Sequence, residues 1–350
     1  MANQEEEKVD SCALVNSRII LKQIQNAKNA NTNILLSPLS FHAVLSMTAA
    51  GATGHTLNQM LQFLGVSDIN ELNSKFANMA DVIDSNGNGG PDLSFLNGMW
   101  VAHTHQLRDS YKDLANAVYK TEPKVVDFKR KEEVVEEVNA WAESASRGLI
   151  TEILKPKHIT VILKVHGNLM KSYQVAKIPY DIGKKDDKKE FSMFIFLPNE
   201  KDELPSLLEK VNSDPKFFTQ NFRLRREPLD AFYIPKFKFS YTAMKQVIRT
   251  MREMGLTLPF DKKCEEITKI MEPHGPFFIN RILQKAFIEV NEKGTVAAAV
   301  TEEFDDDLGF PMCELPRFVA DHPFLFMIRE EVSRMVLFTG AVLIRYWFIK

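Results

Sequence analysis

The sequence predicts an α+β fold, with helices concentrated in the first half of the chain and strands in the second. Helical periodicity recurs between residues 17 and 146, whereas apolar runs of strand length follow from residue 190 onward. Segregated helices and strands are typical of α+β domains rather than of doubly wound α/β sheets. Glycine and proline are scattered, without a linker or an internal repeat. With 45% hydrophobic residues the chain can bury a large core, so we predict one domain, residues 1–350.

The helices are predicted from their periodicity and their end signals. Ser37-Pro38 is a typical helix start, because a serine caps the first turn and the proline stands where its missing N–H does no harm. Gly51, Gly148 and Gly255 are stop signals for the helices that precede them. The predicted helices span residues 17–30, 38–50, 56–64, 69–85, 109–119, 132–146 and 242–254.

The strands are predicted from short apolar or alternating runs. Residues 190–197 form an apolar run that ends at Pro198, and residues 229–241 alternate around Pro235. Residues 84–92 are rich in glycine and indicate a turn. The predicted strands span residues 93–102, 124–128, 190–197, 229–241, 279–291, 324–328 and 335–343.

The charge and the cysteines restrict the location and the partners of the chain. A net charge of −2 gives no electrostatic footprint for nucleic acid or an anionic membrane, so we expect neither as a partner. The first residues lack the features of a secretory signal, and no apolar run is long enough to span a membrane. Cys12, Cys264 and Cys313 are far apart and odd in number, which favours free thiols over a disulfide. We therefore expect a cytoplasmic protein.

The sequence contains no motif typical of an enzyme, a metal site or a cofactor site. Gly51-Ala-Thr-Gly54 lacks the lysine of a phosphate-binding loop and is better interpreted as a turn between helices. His103 and His105 would share one face of a strand, but two histidines do not complete a metal site. No Gly-x-Ser-x-Gly motif occurs. We therefore predict a protein that is not an enzyme, with no metal and no cofactor.

One segment, residues 292–301, fits neither a helix, a strand nor an ordinary loop. Gly294, Thr295, Val296 and Val300 disfavour a helix. Its side chains are unusually small for a strand, and it lacks turn residues after Gly294. Such a composition suits a segment that is a loop in one state and a strand in another.

Several motifs together resemble the serpin family. Residues 318–328 resemble the family signature throughout, and residues 33–40 are similar to an early helix and its serine-containing shutter. Similar matches occur at residues 139–150, 234–237 and 254–256. The residues from Glu289 to Thr295 and from Phe318 to Phe326 point to plant serpins.

The resemblance implies a fold and a mechanism. The expected fold has N-terminal helices around a large central β-sheet, smaller sheets, and an exposed reactive-centre loop at about residues 292–317. Serpins inhibit proteases as suicide substrates: the protease cuts the loop, which then inserts into the main sheet as a new strand. The resemblance also implies a monomer whose partner is a target protease. That protease is a serine endopeptidase or, alternatively, a cysteine endopeptidase. Family analogy also allows an extracellular location.

The resemblance also assigns roles to particular residues. The family register places the reactive bond at Leu308-Gly309, which suits a chymotrypsin-like protease. Counting back from Phe318 gives Asp307-Leu308 instead, which suits an aspartate-directed protease. The implied loop hinge comprises Glu292, Gly294, Thr295, Ala297, Ala298, Ala299 and Thr301. The implied shutter comprises Ser37, Ser40, Asn168 and Gln284, the last standing where the family has histidine.

The sequence departs from the family pattern in two further respects. Residues 165–168 resemble the start of the third strand of the main sheet, but an internal deletion after Asn168 removes several strands' worth of sequence. In the loop, Glu303 and Asp305 would face inward after insertion, and burying an unpaired carboxylate is costly. The rival interpretation is therefore a non-inhibitory or decayed serpin that is a protease substrate or a binding protein.

Overall fold

The computed structural model describes most of the chain between residues 10 and 343. The described residues are 10–25, 32–83, 98–103, 106–145, 166–169, 172–180, 189–222, 224, 229–243, 245–272, 275–290 and 316–343. The helices within them are α1 (Ser11–Gln25), α2 (Pro38–Gly51), α3 (Gly54–Leu64), α4 (Ile69–Ile83), α5 (Asp109–Ala117), α6 (Lys131–Ala145), α7 (Leu204–Ser213) and α8 (Lys245–Glu253). None of these described helices is both long enough and apolar enough to cross a membrane.

Local capping explains where the predicted helices are accurate and where they differ. The Ser37 hydroxyl accepts a hydrogen bond from the Ser40 backbone N–H at 3.3 Å, so α2 begins where its sequence indicates. Gly65 ends α3 in the left-handed conformation, with φ of 66°. The prediction for α1 was wrong at its start, because the Asp10 carboxylate accepts from the Ala13 N–H at 2.9 Å and begins the helix at Ser11.

The strands form one large sheet and four pairs. They are β1 (Ile34–Leu36), β2 (Trp100–Ala102), β3 (Gln106–Leu107), β4 (Lys124–Val126), β5 (His166–Leu169), β6 (Tyr173–Pro179), β7 (Phe191–Pro198), β8 (Ala231–Tyr233), β9 (Phe237–Ala243), β10 (Met271–Glu272), β11 (Gln284–Val290), β12 (Arg317–Val319), β13 (Phe324–Glu330) and β14 (Val336–Val342). The large sheet is antiparallel throughout, in the order β1-β14-β13-β7-β6-β5. The pairs are β2–β4, β3–β10, β8–β12 and β9–β11.

The six-stranded sheet separates two hydrophobic cores. Every residue of β7 and of β13 is buried, because both faces of these strands are covered. Alternation sends Phe194 and Phe196 into a core shared with the helices, whereas Met193 and Ile195 enter a second core. That second core includes Ile288 and its neighbours on the β9–β11 pair. Helices on one face and a strand pair on the other confirm the predicted α+β class.

The two described cysteines are free thiols, as expected. Cys12 and Cys264 are buried and unpaired, while Cys313 lies outside the described residues. Burial, followed by the nearby charge of Asp10, raises the pKa of the Cys12 thiol well above its usual value. Cys12 is therefore a packed, protonated side chain in the core.

Arg329 is a buried charge at the end of β13. Its side chain is 4% exposed, and its guanidinium lies 4.6 Å from the ring centroid of Phe194. It donates to the carbonyls of Phe218 and Gln220 at 3.0 and 2.9 Å, and to the Glu331 carboxylate at 3.1 Å. This one side chain therefore ties the sheet to the segment that follows α7.

Replacing Arg329 tests the contribution of that buried charge. We expect Arg329→Met to lower the free energy of unfolding by about 2–4 kcal/mol, because one buried and one partly buried carbonyl lose their donor. Urea denaturation measures the loss. Arg249→Met is the matched control: Arg249 is 79% exposed and forms a surface ion pair with its helix neighbour Glu253, so no measurable change is expected. Equal losses in the two variants would contradict the assignment.

His42 makes the fold sensitive to acid. Burial, and then the nearby charge of Lys75, lowers the pKa of His42 from 6.5 to about 4, and its Nδ1 lies 3.2 Å from the Ser46 hydroxyl. Because the folded state favours the neutral ring, this contribution to stability is fully present above pH 6.5. It is lost as the pH falls from 6.5 through 4.

The acid sensitivity can be measured with His42→Gln. Between pH 6.5 and pH 4 we expect the wild type to lose about 1–3 kcal/mol more stability than this variant, which has no ring to protonate. The half-buried position of His42 limits the size of the effect. Urea denaturation at both pH values gives the difference, and parallel losses would refute the role of His42.

Candidate functional site

The residues assigned to the reactive-centre loop lie between the strands β11 and β12. β11 ends at Val290 and β12 begins at Arg317. β11 pairs with β9 along all seven of its residues, and β12 pairs with β8 in parallel. The predicted hinge residues and the predicted reactive bond, Leu308-Gly309 or Asp307-Leu308, lie outside the described residues.

The strands β11 and β12, which we call the loop anchors, each have a further contact close to the loop. On the β11 side, Glu289 lies opposite Lys238 in the strand register, and their side chains form an ion pair at 3.0 Å. Glu289 is 8% exposed whereas the Lys238 side chain is 39% exposed, so a buried carboxylate meets a lysine at the surface in this cross-strand contact. On the β12 side, the Pro316 carbonyl accepts from the Asp230 N–H at 3.0 Å. The two ends of the loop are thus fixed to different parts of the fold.

Two of the four predicted shutter residues, Ser37 and Gln284, are in direct contact. The Gln284 amide oxygen accepts from the Ser37 backbone N–H at 2.9 Å, and its amide nitrogen donates to the Ser37 carbonyl at 2.6 Å. Both residues are almost fully buried, at 3% and 5% exposed. Ser40 joins the group through its N–H, which Ser37 caps. We call this pairing of Ser37 and Gln284 the amide clasp.

The amide clasp depends on the chemistry of the side chain at position 284. A primary amide presents one acceptor and two donors in a plane, so it can satisfy the N–H and the carbonyl of one residue at the same time. The clasp joins the start of α2 to the first residue of β11, the strand that leads toward the loop. It carries no charge, whereas a histidine at this position could change its charge near neutral pH.

The structure places Asn168, the fourth predicted shutter residue, in a different sheet. The prediction that residues 165–168 open the third strand of the main sheet was wrong for residues 166–168. They lie in β5, the edge strand of the six-stranded sheet, where Asn168 pairs with Val175 of β6. Only residues 170–172 connect β5 to β6, and so short a connection forces the two strands into an antiparallel hairpin.

The main sheet of the resemblance is present only in part among the described residues. The pairs β2–β4 and β9–β11 remain separate two-stranded sheets, and no described strand joins them. Sequence reasoning identified the deletion but not its structural result. The signal that could have revealed it is the three-residue spacing between β5 and β6.

The two histidines considered as a metal pair do not form a site in the described part of the chain. His103 directly follows β2, and its Nδ1 lies 3.4 Å from the Asp127 carboxylate at a partly exposed position. His105 lies outside the described residues, and those residues contain no cluster of three or more metal-ligating side chains.

The chain is similar to serpins along nearly its whole length. A family model described as "Serpin (serine protease inhibitor)" matches residues 17–165 and 160–344, and the two matches overlap at residues 160–165, just before Asn168. Serpin-ZXA of Oryza sativa subsp. japonica is 35% identical, covering 90% of this chain and 91% of that protein. Serpin-Z3 of Arabidopsis thaliana is 33% identical, covering 93% of this chain and 95% of that protein.

Solved structures give the same result for the fold. The structure of the Arabidopsis serpin AtSerpin1 in its native stressed conformation matches with a TM-score of 0.81 and 30% identity, covering 96% of this chain and 97% of that chain. The native thermophilic serpin tengpin matches with a TM-score of 0.74 at 22% identity, covering 98% of this chain and 95% of that chain.

Replacing Gln284 tests the amide clasp. We expect Gln284→Ala to lower the free energy of unfolding by about 2–4 kcal/mol, because the buried N–H and carbonyl of Ser37 both lose their partner. Gln62→Ala, on an exposed position of α3, is the control and should change little. Urea denaturation compares the two, and similar losses would contradict the clasp.

A second variant tests whether both hydrogen bonds of the clasp matter. Gln284→Glu keeps an acceptor for the Ser37 N–H but turns a carboxylate oxygen toward the Ser37 carbonyl. We expect a loss of stability at pH 7 that shrinks when acid protonates the new carboxyl, because a protonated carboxyl can donate. A loss that does not depend on pH would show that only one of the two bonds contributes.

Proposed function

Because the chain belongs to the serpin family of serine protease inhibitors, we propose that it inhibits a serine endopeptidase as a suicide substrate. The protease serine attacks the carbonyl carbon of Leu308, and the amide bond to Gly309 breaks. The nitrogen of Gly309 leaves with a proton, and Leu308 remains joined to the serine as an ester. Insertion of the cut loop into the sheet then traps this ester before water can hydrolyse it.

The observation that carries the proposal is the placement of the two loop anchors. One edge of β11 is hydrogen-bonded to β9. Among the described residues no strand, β1 included, pairs with the other edge of β11. Residues 291–315 follow β11 directly, so a cut loop could continue from its end. A cut beyond Thr301 would release this segment from β12, which is held separately by β8.

The composition of the hinge suits entry into a sheet. Thr295, Ala297, Ala299 and Thr301 would face inward in a strand, because alternate residues share one side. These side chains are small and uncharged, so their burial has little desolvation cost. Gly294 gives the backbone the conformational freedom to turn into the sheet.

The preferred target is a chymotrypsin-like serine endopeptidase, because Leu308 is an apolar residue before the bond. The alternative register places Asp307 there, which suits an aspartate-directed enzyme, including one of the cysteine type. We propose that the protein acts as a monomer in the cytoplasm. The buried free thiols of Cys12 and Cys264 support a reducing compartment.

A second candidate function is that of a non-inhibitory serpin, which a protease cuts without being trapped. The placement of β5 favours it, because residues that resemble a main-sheet strand belong to another sheet. The separate β2–β4 and β9–β11 pairs point the same way among the described residues. A loop needs a strand on each side to insert fully.

Mixing with proteases distinguishes these candidates. Inhibition predicts a covalent complex that survives SDS electrophoresis after incubation with a chymotrypsin-like protease, because the ester to Leu308 persists. Aspartate-directed proteases test the alternative register in parallel. Clean cleavage near Leu308 without any complex would rule out inhibition and favour the substrate function.

The acidic residues of the loop give a graded test of insertion. Glu303 and Asp305 would be buried late in insertion, so the double variant Glu303→Ala, Asp305→Ala should raise the fraction of trapped protease several-fold. The matched control is Glu302→Ala, because Glu302 would face outward in the same strand. The ratio of complex to cleaved product on SDS gels measures the effect. An equal gain in the control would disprove the register.

A further inference from the structure

The β7–β13 ladder ends at two facing prolines. Leu325 pairs with Phe196 in this antiparallel ladder, so two residues further along Pro323 stands opposite Pro198. Neither proline has a backbone N–H, so the usual exchange of hydrogen bonds cannot continue at this position. The carbonyl of Pro198 therefore needs a donor from elsewhere.

The His322 side chain supplies that donor. Its Nε2 lies 2.7 Å from the Pro198 carbonyl oxygen, and its Nδ1 lies 2.7 Å from an oxygen of the Asp321 carboxylate. The imidazole is only 7% exposed. One side chain thus fills the gap in the ladder and also contacts the adjacent carboxylate.

Both partners of the ring are hydrogen-bond acceptors. A carbonyl oxygen can only accept, and an ionised carboxylate can only accept, whereas a neutral imidazole has one N–H to donate. The hydrogen bond from His322 is also the main reason that the pKa of Asp321 lies below its usual value, which keeps this carboxyl ionised. Two short contacts to two acceptors therefore require a proton on each ring nitrogen.

We propose that His322 carries both ring protons in the folded protein. Its hydrogen bonds to the Pro198 carbonyl and to Asp321, which we call the closure, then hold the β7–β13 end of the six-stranded sheet together in a pH-sensitive way. This inference goes beyond the proposed inhibition and does not depend on it. The charged groups around the ring are Asp321 and the Lys201 ammonium, 3.4 Å from the other Asp321 oxygen. Arg317 and His322 line one surface cavity, and Arg317 pairs with Asp230 at 3.3 Å.

The closure weakens as the pH rises. The two contacts with acceptors call for a doubly protonated ring, and a histidine in an unfolded chain loses that second proton between pH 5 and 8. Its stabilising contribution is therefore present at low pH and is lost as the pH rises, the opposite direction to that of His42. His322 follows β12 closely, so the end of the sheet that loosens is also next to the anchor after the loop.

Thermal unfolding of the full chain at pH 5.5 and pH 8.5 tests the proposal. In His322→Gln the ring is absent. In Asp321→Asn the amide can donate to Nδ1, so a singly protonated ring satisfies both contacts. We expect the wild type to lose roughly 1–3 °C more in Tm on raising the pH than either variant. His103→Gln is the control, because His103 forms an exposed pair with Asp127 and should keep the wild-type pH dependence.

The ring protons can also be observed directly. Nuclear magnetic resonance of ¹⁵N-labelled histidine at pH 7 should show hydrogen on both ring nitrogens of His322 in the wild type, and on one in Asp321→Asn. A singly protonated His322 in the wild type would overturn the proposal. So would an equal pH dependence of Tm in the wild type and both variants.

Discussion

The double-sided burial of β7 and β13 is the constraint on which the rest of the structure depends. Because these two central strands have no solvent-facing side, each must be covered by helices on one face and by the β9–β11 pair on the other. That arrangement fixes where β11 lies, and so where the loop begins. Arg329 and His322 satisfy buried polar groups at opposite ends of β13, where the ladder cannot do so. The segment that follows β11 is thus positioned by the six-stranded sheet.

The internal deletion acts on the fold through the length of one connection. Shortening the chain between Asn168 and Tyr173 leaves no room for a crossing between sheets, so the residues before the gap fold back as a hairpin on β6. The six-stranded sheet is thereby completed, while the described part of the main sheet remains in two separate pairs. This rearrangement affects the proposed insertion of the loop more than the folding of the chain. Among the described residues no strand pairs with the second edge of β11, so a strand could still be accepted there, but the inserted loop would gain fewer partners on its far side.

Sequence reasoning succeeded where the controlling interactions are local. The Ser37 cap and the apolar run before Pro198 define α2 and β7 without any tertiary information. It failed for α7, Leu204–Ser213, whose start lacks a side-chain cap and whose burial comes from packing against α1. It also misplaced Asn168, because the pairing of β5 follows from a length constraint rather than from residue type. The contact of Gln284 with Ser37 joins residues far apart in sequence, and only the family resemblance pointed to it.

If the protein inhibits proteases as proposed, its intact fold is metastable and gains a strand when the loop is cut. The similar Arabidopsis structure is described as native and stressed, which agrees with that claim for a relative. The most direct measurement is the melting temperature of the purified chain before and after limited cleavage near Leu308, with the two fragments kept together. Our account predicts a clear rise in Tm after cleavage, because the inserted segment adds hydrogen bonds and buried surface to the sheet. An unchanged or lower Tm would contradict it.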